Sequence, residues 1–255
     1  MNFFLVMNGK KIKKFIFLSI AMIFAIAVVY VERDNITVFY STANTEPSAI
    51  YRIDTDEKVV ALTFDISWGN KRAEPILDIL KEKDVQNVTF FLSSPWSRDH
   101  PEIVKKIVDG GYEIASHGHK HVNYSELSDE EIRKQIKTAH QILRETTGRD
   151  TNLIRLPNGD FDKRVLRIAN ELNHQVIQWD TDSLDWKNIG VDNIINRVLT
   201  RAHPGDIILM HASDSCEQTH LALPTIIDEL RKKGYKFVNV SQLINQADLN
   251  RLEVK

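Results

Sequence analysis

Cysteine is almost absent from this sequence: Cys216 is the only one in 255 residues. A lone thiol excludes an intrachain disulfide. Its setting, Ser213-Asp214-Ser215-Cys216-Glu217, is polar and carries no signature of a catalytic thiol, so Cys216 reads as a tolerated cysteine. An excess of either charge is also missing. Lys and Arg total 33 against 35 Asp and Glu, and nothing global draws the chain toward nucleic acid. No Gly-x-Gly-x-x-Gly follows the first β-rich run, so a dinucleotide fold lacks its phosphate-binding turn. What is present is ordinary: 42% apolar and 8% aromatic residues suit a globular protein with a real core. The length suits one domain of about 200 residues plus appendages.

The first feature along the chain is an uncharged run from Phe15 to Val31, preceded by Lys10, Lys11, Lys13 and Lys14 and closed by Glu32-Arg33-Asp34. As a helix such a run rises about 25 Å, at the short end for a membrane span. Lysines on its N-terminal flank predict residues 1–14 in the cytoplasm, 15–31 as a single-pass anchor, and everything downstream outside the cell membrane. Ala25-Ile26-Ala27 resembles a small-x-small cleavage site, which keeps a signal peptide as the alternative. The apolar run continues through Val28 to Val31, which favours the anchor. Residues 32–55 are mixed and polar and read as a stalk or lead-in segment. Past residue 244 the chain reads as a polar tail over 245–255.

Between these limits, over 56–244, short β-rich runs alternate with helix-like segments. The runs are Val59 to Phe64, Val88 to Leu92, Tyr112 to Ala115, Asn152 to Leu156, Gln175 to Trp179, Asp206 to Met210 and Lys236 to Val240. Ser128-Asp129-Glu130-Glu131 reads as a capping box opening the longest helix, and Gly110-Gly111, Gly148 and Gly234 mark helix ends. Alternation of this kind predicts a parallel α/β architecture, and the number of strands suggests a barrel more than an open sheet.

Reactive residue types gather at the C-terminal ends of these runs. Asp65 ends the first. His117 and His121 follow the third, inside Ser116-His117-Gly118-His119-Lys120-His121. They share a face in either a strand or a helical turn, whereas His119 joins them only in a strand. Neutral imidazole is the commonest nitrogen ligand of zinc. Arg155 closes the fourth run; Asp180, Asp182 and Asp185 follow the fifth; His211 ends the sixth. Each has a plain structural explanation as cap, ion pair, turn or core residue. Together, at separate strand ends that all open on one face of a parallel barrel, they point to an active site.

In order, these segments resemble the five motifs of the polysaccharide deacetylases with the NodB homology domain, most closely the membrane-anchored sporulation deacetylases of the PdaB type. The motifs are Thr63-Phe64-Asp65-Ile66, His117 to His121, Arg155 to Gly159, Asp185-Trp186 and Leu209 to His211. The resemblance runs from about Asp56 to Ile244. It implies a distorted barrel of seven or eight β/α units and metal-dependent, most simply zinc-dependent, removal of N-acetyl groups from a cell-wall glycan such as peptidoglycan. It implies Asp65 as base, His211 as acid, Asp185 and Arg155 as their tuning and orienting partners, and His117 and His121 as metal ligands. Asn158 would supply the oxyanion contact from its backbone, while Trp186 and Leu209 would shape the acetyl pocket. The family's second aspartate, a third metal ligand, is here Ile66, which cannot bind a cation. Metal binding is therefore expected to be weak unless Ser67, Asp65 or His119 compensates. A barrel that binds glycan without efficient catalysis is the alternative reading.

Overall fold

The computed structural model describes residues 47–253, together with Ser19 and Met22. The expected membrane anchor thus lies outside the described residues but for those two positions, and so does most of the expected stalk. Among the described residues no helix is long and apolar enough to cross a membrane.

Eight parallel strands form the sheet: β1 (Val59–Ile66), β2 (Thr89–Leu92), β3 (Glu113–Ser116), β4 (Leu153–Ile154), β5 (Gln175–Val176), β6 (Thr181–Asp182), β7 (Asp206–His211) and β8 (Lys236–Phe237). The helices are α1 (Ala73–Glu82), α2 (Ser94–Asp99), α3 (Pro101–Asp109), α4 (Asp129–Thr147), α5 (Lys163–Glu171), α6 (Val191–Arg201), α7 (Thr219–Lys232) and α8 (Val240–Glu253). β1 is the axis of the fold, buried at all eight positions. A strand covered on both faces must be apolar on both, which explains its unbroken run. Val60, Leu62, Phe64 and Ile66 face the outer helices, packing with Ile76 and Leu80 of α1 and Ile226 and Ile227 of α7. Val59 and Ala61 face the other way, into an inner cluster with Phe91, Ala115, Leu153 and Ile207. Thr63 and Asp65 share that inner face by the period of two.

The strand order is β5-β4-β3-β2-β1-β7-β6, with β8 paired to the start of β1. The ends of this path, β5 and β6, do not pair with each other, so the expected barrel is an open one. The lead-in segment fills part of the gap: Ile50 bridges Ile177 and Arg52 bridges Asp206. Residues 50–53 are thus built into the domain, ahead of the boundary at 56 that the sequence suggests.

Other boundaries move for local reasons. The Ser128 side chain accepts from the Glu131 amide and Gly148 closes α4 in the left-handed region, as the capping pattern implies. The tail expected past 244 instead continues as α8. Its signal is a second capping box, in which Asn239 Oδ1 accepts from the Gln242 amide and Gln242 Oε1 accepts from the Asn239 amide. That box also ends β8 at Phe237, short of the expected Val240. β6 is only two residues long and has no apolar run to announce it.

Gly205, just before β7, adopts φ +76°, and a Cβ there would lie 1.9 Å from the Ile53 carbonyl oxygen. The Ile53 amide donates to the Gly205 carbonyl at 2.8 Å. Only glycine lets the two backbones lie this close. Gly205→Ala is expected to lower unfolding stability by about 1–3 kcal/mol in urea titrations, from backbone strain and loss of this contact.

Candidate active site

The register of the sheet assembles the site. Asp65 of β1 and His211 of β7 are Cα partners at adjacent strand ends. Neighbours at one level of a sheet share a face, so both side chains meet at the C-terminal mouth. A cavity of about 470 Å³ opens there, lined in part by Asp65, His117, His121, Asn158, Trp186, Leu209 and His211. Seven of the nine residues singled out in the sequence therefore line one space. The other two, Arg155 and Asp185, are fully buried behind it.

Arg155 follows β4 and extends its ladder, its amide donating to the Ser116 carbonyl at 2.9 Å. The guanidinium crosses the inner face. Nη1 donates to Asp65 Oδ1 and to Thr63 Oγ1, both at 2.8 Å, and Nη2 donates to the Gln178 carbonyl at 3.0 Å. Its carbon sits 4.1 Å from the Phe91 ring centroid. Burial on its own would raise the Asp65 pKa; Arg155, and then His117 and His211, outweigh it and hold the carboxyl below the usual range. Asp65 is thus a fixed, ionised carboxylate.

His211 is held from the other side. Its Nδ1 lies 2.7 Å from Asp185 Oδ1, and its backbone amide donates to Asp185 Oδ2 at 2.7 Å. Thr219 Oγ1 donates to the same Oδ2 at 2.7 Å. The carboxylate only accepts, so Nδ1 carries a proton and Nε2 is left for the cavity. Burial would lower the His211 pKa, but Asp185, Asp65 and Asp182 together raise it above its usual value. The three aspartates that follow β5 in the sequence separate. Asp185 anchors His211, Asp182 lines the cavity, and Asp180 turns away to Arg52 and His203.

The histidine segment is neither strand nor helix but a loop after β3. Gly118 at φ +75° passes over Tyr124, whose hydroxyl would sit 2.5 Å from any Cβ there. This turn brings the His117 and His121 rings to 5.5 Å between centroids. His119 leaves for α2, its Nδ1 2.9 Å from Ser94 Oγ, and it does not line the cavity. It is therefore not the compensating ligand. His117 Nδ1 lies 3.0 Å from the Arg155 carbonyl, which can only accept, so Nδ1 donates and Nε2 keeps its lone pair. Desolvation by burial lowers the His117 pKa to about 4, against a weaker opposing pull from Asp65. His121 is lowered too, first by desolvation. Two neutral imidazoles beside an ionised carboxylate fit a divalent cation. Ile66 contributes nothing to that set: it is fully buried among the apolar residues facing the outer helices and does not line the cavity.

The sequence reading missed several wall residues. Trp68, 48% exposed, flanks His121 at 5.5 Å between ring centroids, and Trp179 lies deeper. Both follow strand ends, the signal that found the others. Cys216, which the polar stretch around it marks only as a tolerated cysteine, is 1% exposed at the cavity wall, with its thiol pushed up to about 12 by burial and by Asp185. Asn158 has a left-handed backbone at φ 59°, with Nδ2 donating to Asn123 Oδ1 at 2.9 Å.

A family profile described as polysaccharide deacetylase matches residues 52–177. A peptidoglycan-N-acetylglucosamine deacetylase of Bacillus cereus is 36% identical over 193 residues, covering 74% of this chain and 69% of that one. The chain belongs to the polysaccharide deacetylase family. A second family relative, the uncharacterized protein YlxY of Bacillus subtilis, is 31% identical over 80% of this chain, and the match spans 63% of YlxY. Among solved structures of the family, BA3943 of Bacillus anthracis, described as a pseudoenzyme, aligns with a TM-score of 0.73 at 36% identity, over 78% of this chain and 69% of that one. A BA3943 mutant described as having restored enzymatic activity aligns with the same TM-score of 0.73.

The buried neutral His117 sets a pH dependence. Its folded pKa of about 4 lies below the ordinary 6.5, so the unfolded chain binds the extra proton first. Stability is then complete above about 6.5 and is lost as pH falls toward 4. Denaturant titrations with chelator present should show this fall, and His117→Asn should flatten it. An unchanged slope in the variant would show that His117 is not buried in its neutral form.

Proposed function

We propose that this protein is a membrane-anchored, extracytoplasmic deacetylase that hydrolyses N-acetyl groups on amino sugars of peptidoglycan, with a role in sporulation. The observation that carries the reading is the pairing of two differently tuned groups across one cavity. Asp65, ionised by Arg155, faces His211, whose pKa Asp185 raises. Groups whose environments push them apart in this way suit acid and base roles. The homologous deacetylases named for peptidoglycan N-acetylglucosamine support the substrate class.

An amide resists attack by neutral water and departs as a poor leaving group. Asp65 takes the proton of the attacking water. His211 passes its Nε2 proton to the departing nitrogen while Asp185 stabilises the imidazolium. Arg155 fixes the Asp65 rotamer and keeps its second oxygen free. The backbone around Asn158 faces the developing oxyanion. Leu209 and Trp186 contact the acetyl methyl and the sugar. His117 and His121 would hold a divalent cation, most simply zinc, whose Lewis acidity polarises the carbonyl and acidifies water. With Ile66 turned into the core, that cation has two imidazoles and, beyond them, only the Asp65 carboxylate or the Ser67 hydroxyl at the cavity wall, so its binding is weak.

The same Ile66 favours a second reading, a barrel that binds glycan without efficient turnover, and the likeness to a described pseudoenzyme agrees with it. Acetate release from peptidoglycan fragments followed over a zinc titration separates the two. The first reading expects turnover that chelation abolishes and that His211→Ala lowers by about 100-fold or more. Because protonated His211 is the active form, the rate falls as pH rises through its pKa. Asp185→Asn removes a partner that raises that pKa, so the falling limb should move to lower pH. Saturable glycan binding with no acetate at any zinc concentration would leave the binding module.

For location, the lysines before Phe15 favour the anchor reading. Protease added to intact protoplasts should digest the domain and spare residues 1–14. A protected domain would overturn the topology, and a mature N-terminus near Val28 would replace the anchor with a cleaved signal.

A further inference from the structure

The mechanism leaves one buried group at the cavity unused. Cys216 lines the same wall as His211, and one potential ligand atom from each of Asp185, His211 and Cys216 lies within 4.8 Å of the others. These three come from the loop after β6, the end of β7 and the loop after β7. They are distinct from the His117 and His121 loop, although both groups open on one cavity.

The trio is rigidly placed. Asp214, two residues before Cys216, accepts from the amides of Asn70, Lys71 and Arg72 at 3.2, 2.8 and 3.0 Å. Asn188 holds the other side, Nδ2 donating to the Ser215 carbonyl at 2.8 Å and Oδ1 accepting from the Glu217 amide at 2.9 Å. The Cys216 amide donates to the Ser213 carbonyl at 3.0 Å. The Asp185 carboxylate is fixed by Thr219 and by the His211 amide. A carboxylate, an imidazole and a thiol held together are a donor set for zinc and its heavier congener cadmium, because thiolate sulfur selects soft ions. Magnesium and calcium, which need oxygen ligands, gain nothing from it.

We propose that Asp185, His211 and Cys216 form a second cation site, selective for soft divalent ions, whose occupation withdraws the Asp185–His211 pair from proton transfer. The thiol is neutral while the site is empty, so its proton and that of the liganding His211 nitrogen both pass to solvent as the ion enters, and affinity rises with pH. Asp185 Oδ1, which now accepts from His211 Nδ1, meets the cation in place of that proton. Zinc would then act at two places: at His117 and His121, and on the acid that completes the reaction. The inhibitory consequence rests on the deacetylase reading; the cation site itself does not.

Cadmium titration of the full chain tests the site directly. A thiolate-to-cadmium charge-transfer absorption should grow to one thiolate per chain, and the downfield Nδ1 proton resonance of His211 should vanish with it. Cys216→Ser and Cys216→Ala should abolish the absorption, and Asp185→Asn should weaken binding on the order of 10–100-fold. His117→Ala combined with His121→Ala should leave it intact. In parallel, excess zinc should inhibit acetate release by the native chain, with Cys216→Ser needing about tenfold more or better. No absorption at any cadmium concentration would overturn the proposal. So would absorption indifferent to Asp185 and to the His211 resonance, since cysteine would then bind alone. A protein that shows the absorption but never releases acetate would retain the cation site and sink the deacetylase reading.

Discussion

The Arg155–Asp65 pair is the constraint around which this structure is arranged. A guanidinium with no exposure to solvent is very costly unless its charge and its N–H groups are answered. Here the answers come from Asp65, Thr63, the Gln178 carbonyl and the face of Phe91, contributed by β1, β2 and the segment after β5, while Nε has no hydrogen-bond partner. Removing either partner of such a pair typically costs about 3–5 kcal/mol, because the other charge is left stranded. The pair thus ties the two sides of the inner face together at the level where the cavity begins. It also fixes the ionisation of Asp65 without any cofactor.

From that anchor the remaining groups follow by short links. The Arg155 carbonyl accepts from His117 Nδ1, which aims the other nitrogen of that ring away. The strand register sets His211 beside Asp65, and Asp185 reaches it from a loop whose entry, Leu184, sits in the left-handed region at φ 57°. An ionised carboxylate, an imidazole with raised pKa and a pair of neutral imidazoles are therefore coupled through backbone and side chain alike. Single substitutions in this set would not act independently.

Ile66 marks where the family pattern and the packing of this chain part. As the last residue of β1 it faces opposite to Asp65, and an apolar side chain there completes the layer under α1 and α7. A carboxylate at that position would have to turn round the strand end to reach the cavity. The apolar choice strengthens the core and places no oxygen donor at that position.

The alternation of β-rich runs with capped helices was enough to indicate a parallel α/β chain, because both signals are local. The site was legible for the same reason: in a parallel sheet, strand ends converge, so Asp65, His117, His121, Arg155 and His211 could be grouped from order alone. Other matters depend on contacts between distant segments. The gap between β5 and β6 and its filling by Ile50 and Arg52 required the strand order of the sheet to be known. That Asp180, Asp182 and Asp185 take three different directions depended on loop geometry with left-handed residues at Leu184 and Asn188. That Cys216 is buried against the cavity wall, in a stretch as polar as any surface loop, was set by Asp214 and Asn188 folding that loop inward. Sequence fixes which residue follows a strand, through local periodicity and caps. Tertiary structure decides which way each side chain turns and how far its pKa moves, because burial and charge are properties of neighbours.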